Sequence, residues 1–274
     1  MTHSNLPILA FIGGGNMATA ILGGLRQQGV PADRLCVVEP FEPARAALAQ
    51  QLGIQAQAAP GPFLNQAGLV VWAVKPQTFR EATPAVKDHT RQALHLSVAA
   101  GIRSDSIAQW LGSERVVRCM PNTPALVGRG MTGLFARAAV HASDKALVEQ
   151  VLQATGQLMW VNEEPLLDAV TALSGSGPAY VYYFIEAMTA AGVGMGLSAD
   201  QAKTLAVSTF AGAAQLAGAS TESPEVLRQR VTSKGGTTYA ALTAMEEHHI
   251  KDHFMAALEK ARARAVELGD EFGA

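Results

Sequence analysis

Short apolar runs alternate with apolar-periodic stretches through the first half of the chain, and in the second half helical periodicity stands alone. The first run, Leu9-Ala-Phe-Ile, passes through Gly13-Gly-Gly15 straight into a periodic segment over 17–25, which predicts strand, tight turn and helix. Leu35-Cys-Val-Val-Glu39 reads as a second buried strand, and 43–52 as a helix closed by Gly53. The unbroken run over 69–74 is the pattern of a parallel strand covered on both faces. It ends at Lys75-Pro76, where proline suits the first position of a helix. Runs over 93–98 and 116–120 repeat the pattern. Strands alternating with helices predict an α/β fold, a Rossmann-type doubly wound parallel sheet with right-handed crossovers.

From about Asn162 the strand signals stop. Helices are expected over 166–173, 178–193, 199–217, 224–231, 239–247 and 253–268. Ser198 with Gln201 reads as a capping box, and Ser223-Pro224 as an N-cap followed by proline at the first helical position. The division expected is a dinucleotide-binding domain over 1–162 and an all-α domain over 163–274. The second is rich in alanine and small residues, and a second subunit completing its apolar faces predicts a homodimer.

Composition narrows the function classes. The chain has 274 residues, 49% hydrophobic and 16% charged, an ordinary globular balance that fits one large domain or two smaller ones. A formal net charge of −2 gives no electrostatic case for nucleic acid or an anionic membrane. The apolar stretch over 179–193 contains Glu186 and is too short to span a bilayer, and residues 1–7 lack the basic region of a signal peptide. Cys36 and Cys119 sit inside strand-like runs and read as buried, inert thiols without metal-ligand spacing. A cytoplasmic enzyme or binding protein is the expectation.

Candidate chemistry gathers at the turns. Gly13, Gly15 and Ala18 fit G-x-G-x-x-A, with Gly14, Asn16 and Met17 between them. The first glycine permits the turn, the second lets a pyrophosphate reach the backbone, and the alanine lets the helix pack on the strand. The N–H groups of that helix then face the phosphates. Glu39, about 20 residues on, stands where a carboxylate accepts hydrogen bonds from a ribose, although a solvated strand-end carboxylate reads the same way. Ligands of such sheets bind beyond the strand tips, here 13–15, 73–76, 99–101 and 120–123. Turn chemistry alone explains their glycines and prolines, but not the Asn122-Thr123 pair between two prolines. Two further glycine-dense stretches, 173–180 and 231–239, each feed a helix N-terminus. In the second, the N–H groups of Gly235, Gly236 and Thr237 with the hydroxyls of Ser233, Thr237 and Thr238 are suited to cup a carboxylate, although hydroxyl-capped turns between helices look alike. His249 and His253 share an i, i+4 face beside His248, but no third ligand accompanies them and no metal is expected.

The motifs Gly-Gly-Gly-Asn-Met-Ala (13–18), Ala-Val-Lys-Pro (73–76), Met-Pro-Asn-Thr-Pro (120–124), Ser-Gly-Ser-Gly-Pro-Ala-Tyr (174–180) and Thr-Ser-Lys-Gly-Gly-Thr-Thr (232–238) resemble, in order, those of pyrroline-5-carboxylate reductases. The resemblance runs from end to end. It implies reduction of the cyclic imine L-1-pyrroline-5-carboxylate to L-proline by NADPH, the last step of proline biosynthesis, and a homodimer assembled further into a ring of dimers, a decamer. It implies that Ser233, Gly235, Gly236 and Thr237 hold the substrate carboxylate while the Thr238 hydroxyl, as the catalytic group, reaches the imine nitrogen. Ser174, Gly175, Ser176, Gly177 and Tyr180 resemble the other wall of the substrate pocket. On the coenzyme side it implies Gly13, Gly14, Gly15, Asn16, Met17 and Glu39 at one end. Ala73, Val74, Lys75, Val98, Ala99 and Ala100 would line the nicotinamide side, Pro76 and Asn122 are further coenzyme residues, and Glu164 matches a family position near coenzyme and substrate. The chain departs from the family twice. Lys234 stands where many members have proline, and Glu39-Pro-Phe-Glu42 puts a carboxylate where a 2′-phosphate would be repelled, which opens the site to NADH, with Arg45 as a partial offset. The rivals are a β-hydroxyacid dehydrogenase using Lys203 and a nucleotide sensor without turnover.

Overall fold

A computed structural model describes residues 6–273. Seven strands form one sheet in the order β2-β1-β3-β4-β5-β6-β7. They are β1 (Ile8–Ile12), β2 (Leu35–Val38), β3 (Ala67–Trp72), β4 (Leu94–Ser97), β5 (Val116–Met120), β6 (Gly130–Ala136) and β7 (Gly156–Trp160). The first five are parallel, with Leu9 opposite both Leu35 and Leu69, and Leu69 opposite Leu94. Helices α1 (Asn16–Gln27), α2 (Glu42–Leu52), α3 (Pro76–Lys87), α4 (Ser104–Leu111) and α5 (Ala142–Leu152) connect the strands or flank them. Alternate strand residues serve opposite faces. Leu9, Phe11, Leu69, Val71, Leu94 and Leu96 pack one core with Ile21 and Leu22 of α1. Ala10, Ile12, Val70 and Trp72 pack another with Phe79 of α3 and Ile107 of α4. Two buried faces are why these strands read as continuous apolar runs.

The expectation of a wholly parallel sheet is corrected at its far edge. β6 is antiparallel to β5, and β7 is parallel to β6, so both run against the first five. Neither carries an unbroken apolar run. β6 contains Gly130, Thr132 and Gly133, and β7 alternates half-buried and exposed residues as the edge strand.

The second half is helical: α6 (Leu166–Val170), α7 (Gly177–Gly194), α8 (Ala199–Ala219), α9 (Pro224–Arg230), α10 (Thr237–Glu247) and α11 (Ile250–Gly273). Both expected caps form. Ser198 Oγ accepts the Gln201 N–H at 3.2 Å while Gln201 Oε1 accepts the Ser198 N–H at 2.9 Å, and Ser223 Oγ accepts the Val226 N–H at 3.3 Å. After α6 the helix widens over Thr171–Gly175, where the Ser176 N–H reaches back to Thr171 O at 2.8 Å. Such wide turns often mark functional sites.

By contacts the chain forms two compact units. Gly177–Lys260 makes one, and the chain up to Ser176 together with the part from Ala261 onward makes the other. Within the helical unit, α7 and α8 approach closely because Gly192 faces Ala202; a Cβ on the glycine would lie 2.8 Å from the alanine Cβ. Many large apolar side chains there are exposed, among them Tyr183, Met195, Leu205 and Leu216. Cys119 is buried and Cys36 half-buried, and burial raises the pKa of both thiols. Among the described residues no helix is long and apolar enough to cross a membrane.

Candidate active site

Most of the residues expected at the coenzyme stand at the tips of the parallel strands. Gly13 adopts φ +97° and donates its N–H to Val38 O at 2.8 Å, so the turn after β1 leans on the end of β2. A Cβ there would lie 2.6 Å from Ala73 O, which leaves room for glycine only. The tips continue stepwise: the Ala73 N–H donates to Ile12 O at 2.8 Å, and the Val98 N–H to Trp72 O at 3.1 Å. Gly15 is exposed, with open space where its Cβ would stand, and it begins α1 without a side-chain cap. The first N–H groups of α1 therefore face outward at the positive end of the helix, the requirement for a pyrophosphate. Ala18 is fully buried and seats the helix on the sheet.

A cleft of 440 Å³ opens beside this turn, lined by Gly13, Gly15, Glu39, Pro40, Ala73, Val74, Lys75 and Thr78. Glu39 stands at its edge with both oxygens engaged. Oε2 accepts the Gly14 N–H at 2.7 Å and Oε1 the Phe41 N–H at 2.8 Å. Each oxygen retains a lone pair for a ribose hydroxyl. Arg45 turns to the backbone instead, donating Nη1 to Glu39 O at 2.9 Å and to Pro40 O at 2.6 Å. Lys75 is exposed and precedes Pro76, the first residue of α3. Ala99 is buried in the core, while Val98 and Ala100 are half-buried.

Asn122 serves the protein. Its Oδ1 accepts the Met131 N–H at 2.9 Å, and its Nδ2 donates to Ser174 O and Ser174 Oγ, both at 3.2 Å. Gly175 closes against the Met120 side chain, so the 174–176 turn is fastened to the tip of β5. This accounts for Asn122 of the polar pair between two prolines that turn chemistry left open. Gly177 begins α7, and the Tyr180 ring meets Phe254 edge-on at 5.8 Å between centroids.

Glu164, which the resemblance places beside the coenzyme, also bonds protein groups. Oε1 accepts the Ser104 N–H at 2.7 Å and Arg118 Nη1 at 3.0 Å, and Oε2 accepts the Ser104 hydroxyl at 2.5 Å. Arg118 is 3% exposed, on β5. One turn on, Asp168 is buried and pairs with Arg103 at 2.8 Å. Sequence reasoning passed over Arg103, Ser104, Arg118 and Asp168. The available signals were an arginine inside an apolar strand and two carboxylates spaced i, i+4.

In the helical unit, Ser233–Thr238 forms a compact turn. The Gly236 N–H donates to Ser233 O at 3.0 Å, and Gly235 takes φ +75°. Gly236 begins α10 with no side-chain cap, so the Thr237 and Thr238 N–H groups open outward beside their hydroxyls. Ser233, Lys234 and Thr237 are exposed, and Thr238 is half-buried. His249 Nδ1 lies 3.3 Å from Asp252 Oδ2, and among the described residues no three His, Cys, Asp or Glu side chains are placed to hold a metal.

Comparison with known proteins bears on both units. A family model described as pyrroline-5-carboxylate reductase dimerisation matches residues 164–268, and one described as NADP oxidoreductase, coenzyme F420-dependent, matches residues 8–101. A pyrroline-5-carboxylate reductase of Pseudomonas aeruginosa is 42% identical over 97% of this chain and 98% of its own. One from Haemophilus influenzae is 39% identical over 95% and 97%. A solved pyrroline-5-carboxylate reductase of Coxiella burnetii superposes with a TM-score of 0.90 at 37% identity, covering 96% of this chain and 99% of that one. A Plasmodium falciparum pyrroline carboxylate reductase with NADP bound gives 0.86 at 28% identity, covering 98% and 99%.

Proposed function

The chain belongs to the pyrroline-5-carboxylate reductases, NAD(P)-dependent oxidoreductases, and from that premise we propose how its residues carry out the reaction. The coenzyme pyrophosphate lies on the open N–H groups of Gly15, Asn16 and Met17, the ribose on Glu39, and the nicotinamide beside Ala73–Lys75 and Val98–Ala100. The carboxylate of L-1-pyrroline-5-carboxylate sits in the Ser233–Thr237 turn, and by the resemblance Ser174–Gly177 and Tyr180 are further substrate residues. A bound NAD(P)H would supply a hydride to the C=N carbon of the substrate, taken up as the protonated iminium, with the C=N π electrons going to nitrogen to give the neutral ring amine of L-proline. The Thr238 hydroxyl orients that nitrogen. Because the iminium already carries its proton, positioning and electrostatics supply most of the acceleration, and no strong side-chain acid is required.

The observation that carries this reading is the uncapped start of α10, where the Thr237 and Thr238 N–H groups open beside three hydroxyls while the Gly236 N–H closes the turn on Ser233 O. It is a carboxylate seat in a chain that also carries a dinucleotide turn. Both coenzymes serve in this reading. The resemblance points to NADPH, and the fixed carboxylate of Glu39, with Arg45 turned to the backbone, favours NADH. The exposed apolar side chains of α7, α8 and α10 support a homodimer. The resemblance adds a decamer.

The test is oxidation of NADPH and NADH in parallel, with pyrroline-5-carboxylate as substrate. Turnover with either supports the reductase, and the ratio of kcat/KM values reads the contribution of Glu39. Silence with both overturns the assignment.

A further inference from the structure

The loop that follows β4 is held from behind by the last turns of α11. A Cβ at Gly101 would lie 3.1 Å from Leu268 Cβ and 3.2 Å from Phe272 Cδ2. A Cβ at Gly269 would lie 2.5 Å from Arg103 Nε and 2.7 Å from its Cζ, so the guanidinium rests on the helix at a residue without a side chain. The same guanidinium donates Nη1 to Asp168 Oδ2 at 2.8 Å. Ser106 Oγ adds a bond to Gly273 O at 3.0 Å. The buried residues of α11 are Ala265 and Gly269, so the end of the helix is where it meets its neighbours. The dimerisation-model match stops at residue 268, short of Gly269, Phe272 and Gly273.

We propose that Arg103 is a positioning residue for the coenzyme: set between Gly269 and Asp168, it fixes the 99–101 peptide against which the nicotinamide lies. This rests on the reading that Val98–Ala100 line the nicotinamide side. The loop needs an external hold. Ala99 is anchored in the core, but Ala100 and Gly101 carry no side chain able to fasten the backbone that follows. Arginine suits the task because its planar head packs on a helix backbone while its fork of N–H donors reaches a carboxylate. Asp168 keeps it in place. Its Oδ1 is buried without a hydrogen-bond partner among the described residues, so losing the guanidinium would leave that carboxylate uncompensated. Displacing a substrate-positioning element by about 1 Å can cost up to ~100-fold in rate, so a modest shift of this loop registers in function.

The experiment is Gly269→Ala, whose methyl pushes the guanidinium aside without removing its charge. Coenzyme Kd, read by quenching of protein fluorescence, and coenzyme KM are both expected to rise about tenfold, while KM for the imine moves less than about twofold. A chain ending at Leu268 gives the same split without adding atoms, and decides the matter if the methyl variant does not fold. Arg103→Lys keeps the charge towards Asp168 and loses the planar contact, so it falls between the unaltered chain and Gly269→Ala. Coenzyme Kd unchanged in the folded variants overturns the positioning role. So does a parallel rise in both KM values, which is the mark of a general loosening. An unaltered chain that turns over neither coenzyme sinks the reductase reading alone, and coenzyme Kd still decides the place of Arg103.

Discussion

The strand tips and the α10 turn both present helix N-termini to anions, yet they rest on different foundations. Beneath the tips lie Leu9, Phe11, Leu69, Val71 and Trp72, all without exposed surface. A packed core holds each tip in register, and the backbone bonds from Gly13, Ala73 and Val98 lock one to the next. The α10 turn stands on helices that leave Tyr183 69%, Met195 81% and Leu216 72% exposed. Burying one such side chain is worth about 1.5–3 kcal/mol, so this unit has much to gain from a second copy. The proposed coenzyme seat stands on a packed core within one chain, and the proposed substrate seat stands on helices with exposed apolar faces.

The comparison breaks most sharply at Gly13. Gly13→Ala forces an L side chain to φ +97° and drives a Cβ into Ala73 O, which unseats two tips at once. Coenzyme affinity should fall by more than about 100-fold in a fluorescence titration. Gly15→Ala is the matched control, because its methyl meets open space in the protein. It should leave Tm unchanged and still cost about tenfold in coenzyme affinity, since only a bound pyrophosphate would meet it. Equal affinity in both variants would place the coenzyme elsewhere.

Thr238→Ala asks whether the two seats are separable. Loss of the hydroxyl should lower kcat/KM for the imine about 10–100-fold and leave coenzyme Kd where it was. An unchanged kcat/KM removes the role assigned to Thr238.

How far the sequence spoke also follows this divide. The five parallel strands were legible because burial on both faces writes an unbroken apolar run, as in 69–74. β6 and β7 were not, since Gly133 packs against Val170 and an edge strand needs only half its residues apolar. Gly13 and Gly15 were legible through a motif whose every position has a steric reason. Spacing singles out Glu39, but its bonds to the Gly14 and Phe41 N–H groups were not foreseeable from spacing. The partners of Glu164 and Asp168 lie tens of residues away, at Ser104, Arg118 and Arg103, and only the folded chain unites them.

Glu39→Gln sharpens the contrast more gently, because it keeps the shape of the cleft and removes its charge. The ratio of kcat/KM for NADPH over NADH should rise about tenfold as repulsion of the 2′-phosphate is relieved. A ratio that stays fixed means that the phosphate lies clear of Glu39, with selectivity set elsewhere around the cleft.

The smallest effect comes from the core that makes the coenzyme seat rigid. His95 of β4 is buried, and its Nδ1 lies 3.2 Å from Trp72 Nε1–H, an arrangement that needs the neutral ring with its proton on Nε2. Burial, with the nearby Arg115 charge, lowers its pKa from 6.5 to about 4. Between those values the unfolded chain binds a proton that the folded chain refuses. This contribution is therefore complete above pH 6.5 and drains away as the pH falls towards 4. At ~1.4 kcal/mol per unit, the loss is on the order of 3 kcal/mol by pH 4. Carboxylates titrate over part of the same window, so the informative quantity is a difference. Urea midpoints of the unaltered chain should fall more steeply from pH 6.5 to 4 than those of His95→Gln, which keeps a polar partner for Trp72 and has nothing to protonate. Parallel slopes would mean that the sheet admits a charged His95, and with it that the floor beneath the coenzyme tips is looser than its packing indicates.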